Sequence, residues 1–180
     1  AAADRCVDMI DPESNQPELP KGAGEDSIAR LDARRHAKGG TSVASLRGEL
    51  QATMQAHCAV FRTREVLAEG QKKLTALWDK MDDMGVADRS MVWNSDLMEA
   101  LELDNMMLQA VVSLDGALNR EESRGGHARE DFPDRDDINW MKHTLAWIDE
   151  NGKSRFDYRP VHGNTLTDDV EAVPPKERVY

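Results

Sequence analysis

VASLRGELQATMQAHCAVF, residues 43–61, decides the fold. Val43, Leu46, Leu50, Met54, Cys58 and Phe61 recur at steps of three and four, the spacing that lines up side chains on one face of an α-helix. The stretch therefore reads as an amphipathic helix starting near Thr41, and a helix with one apolar stripe needs something to cover it. The following sequence supplies the cover. Residues 63–84 place Leu67, Leu74, Leu77, Trp78, Met81 and Met84 on one side, with Gly85 as the stop. A further helix, capped at Asn94 or Ser95, runs to about Arg120 and carries Leu97, Leu101, Leu108, Val111 and Val112, with Met106 and Met107 widening its apolar arc. Three long helices on short connections make antiparallel neighbours. The expected fold is mainly α: a three-helix up-down-up, spectrin-repeat-like bundle, with the last helix most enclosed.

A shorter helix precedes the bundle. Asp26 or Ser27 can cap it, Ile28 and Leu31 face inward, its outer face is basic, and Gly39 and Gly40 stop it just after Ala37. Before it, DPESNQPELPKGAGE (11–25) holds three prolines and two glycines and reads as a linker. Ala1 to Ile10 resembles the last turns of a helix whose beginning lies outside the chain. At the other end, Asn151-Gly152 sits between two β-prone stretches and predicts a hairpin. With those two residues at the centre of the turn, Trp147 pairs with Phe156, Leu145 with Tyr158 and His143 with Pro160. That register gathers Leu145, Trp147, Phe156 and Tyr158 on one apolar face, which also carries His143. Leu166 to Tyr180 is expected to lie extended on the surface. The organisation is thus 1–25, 26–120 for the bundle and 121–180 for a charged segment, the hairpin and the tail.

Charge and composition narrow the function. The net charge is −11 over 180 residues, with 32% charged and 39% hydrophobic side chains, so the chain should fold but lacks the basic excess that tracks phosphates or anionic lipid. No nucleic acid and no direct membrane insertion are expected, since no apolar run is long enough to span a bilayer. Cys6 and Cys58 make neither a disulfide framework nor a C-x-x-C pair, which suits a reducing compartment.

Nor does the sequence hold a recognisable active site. His36, His57, His127, His143 and His162 show no metal-ligand spacing, and the phosphate-cradling and nucleophile-elbow motifs are absent. No catalytic, cofactor or metal residue is therefore assigned. Asp82, Asp83, Glu99, Glu102 and Asp104 read as solvated helix faces, and His57 as a structural histidine. The exception is EESRGGHAREDFPDRDD, residues 121–137, where Arg124, Arg129 and Arg135 are interleaved with Glu122, Glu130, Asp131, Asp134, Asp136 and Asp137. Mixed signs can close into bidentate pairs where a single sign would repel. Gly125 and Gly126 add either close backbone approach or positive φ. Composition leaves two readings, a solvated loop and an ordered docking segment. A hydrolase built on His127 and nearby carboxylates, and a free-standing adaptor using its Met-rich stripe, are further readings of the residues alone.

ESRGGHAREDFPDRDDINWMKHTLAW, Glu122 to Trp147, resembles the carboxy-terminal signature of the succinate dehydrogenase and fumarate reductase flavoprotein subunits. RHAKGGT (35–41), TMQAHCAVFR (53–62), LELDN (101–105) and PPKERVY (174–180) are similar in the same order, so the resemblance spans essentially the whole chain. L-aspartate oxidase and adenylylsulfate reductase share the helical architecture, but the longer DRDDINWMKHTLAW favours the succinate branch, of alpha-proteobacterial or mitochondrial type. Gly126 stands where the family more often has Ala. The resemblance implies a full subunit that oxidises succinate with FAD and passes electrons to quinone through an iron-sulfur subunit. Bacterial members would lie on the cytoplasmic side of the inner membrane, mitochondrial ones on the matrix side. It also implies that the flavin-bearing and catalytic residues precede this region, leaving Ala1–Ile10 as the end of an FAD-domain helix. Arg124, His127, Arg129, Asp131, Arg135 and Asp136 then become candidate docking residues toward the FAD-binding domain or the iron-sulfur subunit.

Overall fold

Thr63 and Asn94 open two helices by the same device: an extended backbone whose side-chain oxygen accepts the N–H three residues on, from Val66 and Leu97 respectively. In this computed structural model, which describes residues 2–165 and 167–176, the helices are α1 (Ala2–Met9), α2 (Glu25–Arg35), α3 (Val43–His57), α4 (Arg64–Lys80) and α5 (Ser95–Asn119). The strands are β1 (Thr41–Ser42), β2 (Met84–Gly85), β3 (Lys142–Ile148) and β4 (Ser154–Pro160).

The chain divides into two compact units, 1–33 and 34–180. In the first, α1 and the part of α2 it contains bury nothing completely, and Ile28 is exposed rather than inward, with Leu31 half-buried. α2 begins at Glu25, with no cap at Asp26 or Ser27, and ends at Arg35.

In the second unit α3, α4 and α5 pack pairwise against one another, which is the expected three-helix bundle. Leu46, Leu67, Leu77, Leu103 and Leu114 are completely enclosed. Burying each such side chain stabilises the fold by about 1.5–3 kcal/mol. The α3 stripe ends earlier than its spacing suggests: Met54 and Cys58 are half-buried, and Phe61, beyond the helix, is 74% exposed. Thr53 takes an inner position instead. α4 does not stop at Gly85 but tightens into a 3₁₀ turn at Met81–Asp83, after which β2 pairs in parallel with β1 just ahead of α3. On α5 the buried row is Leu97, Ala100, Leu103, Met107, Ala110, Val111, Leu114 and Ala117, so Leu101, Leu108 and Val112 flank it.

The hairpin forms, shifted by one residue. Trp147 pairs with Arg155, Ala146 with Phe156, Leu145 with Asp157 and Thr144 with Tyr158. The loop contains three residues, not two. Asp149 N–H donates to Lys153 O, and the Asp149 carboxylate accepts from the amides of Asn151 and Lys153, so that side chain sets the turn. Gly152 takes the left-handed residue such a loop requires, φ +74°. A one-residue slip exchanges faces. Lys142, Thr144, Ala146, Ile148, Ser154 and Phe156 now face the bundle, while His143, Trp147, Arg155 and Asp157 face solvent. The expected apolar face of Leu145, Trp147, Phe156 and Tyr158 is thus split, and Arg155 lies over the outward Trp147 ring at 4.3 Å. The extended tail was expected over 166–180; residues 167–176 are exposed without regular structure, and the remainder lies outside the described residues.

Gly152 also seats the hairpin on α4, because a Cβ there would meet the Trp78 ring at 2.5 Å. Gly152→Ala is expected to lower stability by about 1–3 kcal/mol through strain and overpacking, read as an earlier urea midpoint. An unchanged midpoint would show that the hairpin tip is not seated on Trp78.

Candidate functional site

The carboxy-terminal end of α5 presents carbonyls that the helix itself cannot satisfy. Arg129, 1% exposed, answers them: its Nη1 donates to the carbonyls of Ala117 (3.0 Å), Leu118 (3.2 Å) and Arg120 (3.4 Å). Its other two nitrogens grip Asp131 in a bidentate pair at 2.7 and 2.6 Å. Asp131 in turn accepts the N–H of Arg64, the first residue of α4, at 2.9 Å. One ion pair therefore joins the negative end of α5's dipole to the positive end of α4's. The Arg129 bond, opposed by some burial and helped by the Arg64 amide, holds the Asp131 carboxyl down to about 2.

A second pair of arginines organises the way out of the bundle. Glu122 is fully buried and receives both Arg120 and Arg124, together with the N–H of Asp136 at 2.9 Å. Burial would push its carboxyl up, but these hydrogen bonds outweigh that and hold it below the ordinary range. Arg120 continues to the carbonyls of Trp140 and Lys142 on the hairpin side. Arg124 continues to Asp137 at 2.6 Å, and Asp137 also pairs with Arg135 at 3.0 Å. Asp136 is occupied locally, accepting from Ile138 and Asn139. Between these groups Arg124 and His127 exchange backbone hydrogen bonds at 2.7 and 3.0 Å around a tight turn. Gly125 has φ +59° there, while both glycines face open space. Positive φ, and not close approach, is what this turn uses.

Both ring nitrogens of His127 have partners within the segment and its surroundings. Its Nε2 lies 3.1 Å from the Arg120 carbonyl and its Nδ1 3.5 Å from the Arg62 guanidinium, so the neutral ring donates from Nε2 and accepts at Nδ1. Burial, with the neighbouring arginines, pushes its pKa down. Among the described residues no hydroxyl or thiol hydrogen-bonds it. His57 likewise bonds the Val66 carbonyl and Lys73, a structural arrangement. Among the described residues no cluster of His, Cys, Asp or Glu could hold a metal ion. Among the described residues the one parallel pairing, β1 with β2, is two residues long.

The structure thus brings Arg124, His127, Arg129, Asp131, Arg135 and Asp136 together in one ordered segment. The docking candidates omit Arg120, Glu122 and Arg64, which complete the network, although Glu122 is among the interleaved carboxylates. A signal for the first two was present. Arg120–Glu122, Glu122–Arg124, Arg129–Asp131 and Arg135–Asp137 are all two residues apart, and in extended chain that spacing puts both side chains on one side. Arg129→Met should cost about 3–5 kcal/mol, because it strands Asp131 and three carbonyls, and equilibrium unfolding at neutral pH measures it. Since the folded pKa of Asp131 lies below its unfolded value, its contribution is complete above about pH 4 and lost as pH falls toward 2. Asp131→Asn is expected to flatten the acid limb of stability across that window. A limb as steep as in the unsubstituted chain would contradict the pairing.

The comparisons with known proteins agree with this architecture. The family described as "Fumarate reductase flavoprotein C-term" matches residues 47–180. The succinate dehydrogenase flavoprotein subunit of Rickettsia bellii is 49% identical over the whole chain, which spans 30% of that relative. The mitochondrial succinate dehydrogenase [ubiquinone] flavoprotein subunit of rice, Oryza sativa, is 48% identical, again over the whole chain and 28% of the relative. A structure of E. coli quinol fumarate reductase superposes with a TM-score of 0.80 at 31% identity, covering 92% of this chain and 28% of that one. The chain spans about three tenths of the curated relatives it matches. It belongs to the family of carboxy-terminal domains of succinate dehydrogenase and fumarate reductase flavoprotein subunits.

Proposed function

We propose that this chain is the structural, carboxy-terminal helical part of a succinate dehydrogenase flavoprotein, which oxidises succinate to fumarate and hands electrons to quinone through an iron-sulfur subunit. The observation that carries this reading is the extent of the likeness: 49 and 48% identity across the whole chain to subunits named for succinate dehydrogenase, against 33 and 36% over 87% of the chain to subunits named for fumarate reductase. FAD and the residues that handle succinate belong, on this reading, to the part of the longer relatives that the chain does not span. The chain's own task is to hold a rigid bundle and hairpin, through the Arg129 and Glu122 networks, for docking on the FAD-binding part or on the iron-sulfur subunit.

Of the docking candidates, Asp131 and Arg135 are exposed and Arg124, His127 and Asp136 half-buried, whereas Arg129 acts from inside. No helix of the described residues is long and apolar enough to cross a membrane, consistent with a peripheral subunit held there by others. Such a subunit would sit on the cytoplasmic face of a bacterial inner membrane or the matrix face of a mitochondrial one.

Purification of the longer protein that carries this chain tests the reading. It should contain flavin and reduce a dye with succinate, while the 180-residue chain alone should do neither. Flavin uptake with succinate-dependent dye reduction by the chain alone, or the absence of both from the longer protein, would overturn it.

A further inference from the structure

The inward face of the hairpin does not close completely onto the bundle. Between its tip and the α4–α5 surface lies a cleft of about 720 Å³, a size in the range of small-molecule sites. Leu74, Trp78, Val111, Leu118 and Phe156 give it an apolar floor. Its charges are unequal in a way the whole chain is not. Both lining carboxylates are already engaged, Asp115 by the Gln71 amide at 2.9 Å and Glu121 by Arg64. The two lining lysines, Lys72 and Lys153, form no ion pair with any described residue. Arg64, Lys72 and Lys153 against Asp115 and Glu121 leave the lining with one net positive charge, on a chain whose net charge is −11.

Apolar floor and ammonium groups without ion-pair partners describe the two ends of one kind of ligand.

We propose that this cleft binds an amphiphilic monoanion, a carboxylate with an alkyl or aryl body, its head group between Lys72 and Lys153 and its body on Trp78 and Phe156. The site lies wholly within this chain and does not depend on the identity of the enzyme around it.

Titration of the full chain with octanoate, followed by calorimetry and by Trp78 fluorescence, tests the proposal, with 1-octanol as the neutral counterpart. Octanoate should bind at one site per chain and change a fluorescence signal that Trp78→Phe removes. Lys72→Gln and Lys153→Gln, both at exposed positions and so compatible with folding, should each weaken binding about tenfold, the effect of one charge-assisted hydrogen bond. Octanol should bind at least as weakly as octanoate does to the double lysine variant. The proposal is overturned by any of three results: no binding at millimolar octanoate, equal binding of octanol, or unchanged affinity in a double variant whose circular dichroism shows the native fold.

Discussion

The Arg129–Asp131 pair does what neither helix could do alone. An α-helix leaves its last carbonyls and first amides without partners, and those that packing withdraws from water need a substitute. Arg129 supplies donors to the end of α5, and Asp131 supplies an acceptor to the beginning of α4. Each charge also compensates the opposite end of a helix dipole. Because the guanidinium is enclosed, the arrangement tolerates no partial version: a buried charge without its partner costs several kcal/mol, so the segment is either docked or the end of the bundle is open.

That constraint explains why a stretch with ten charged residues is ordered. Its pairs are formed at a spacing of two, so little loop entropy is spent in making them. The longer-range bonds, from Arg120 to the hairpin and from Asp131 to α4, then place a pre-paired segment rather than separate charges. A surface ion pair is worth little, but enclosed pairs whose remaining donors reach backbone carbonyls fix one geometry. A rigid junction of bundle and hairpin is what a domain needs if its role is to present a fixed shape to a neighbour.

The helices were legible because their apolar residues repeat at helical spacing, and the cap at Asn94 because that side chain suits the position. The inner row of α5 was misplaced for a physical reason. Alanines 100, 110 and 117 carry little hydrophobic signal, yet their size lets the helices approach, so the row ran beside the leucines that drew attention. Phe61 continued a stripe by spacing after the helix itself had ended. The hairpin's existence was written in Asn151-Gly152, but its register was not, because Asp149 uses its carboxylate to build a three-residue loop. For the charged segment, the mixture of signs was visible and its period of two went unused. Which groups would be buried could not be read from that pattern, since Glu122 and Glu121 are neighbours with opposite fates.

Native-state hydrogen exchange of the amides of Ser123, Arg124, His127 and Glu130 tests the central claim most directly, because each is bonded to backbone across this segment or to the α3–α4 connection. If the charged segment is locked to the bundle, these amides open with the same free energy and denaturant dependence as Leu103 and Leu114 in the core. Exchange at the rate of an unstructured loop, while the core amides stay protected, would contradict it.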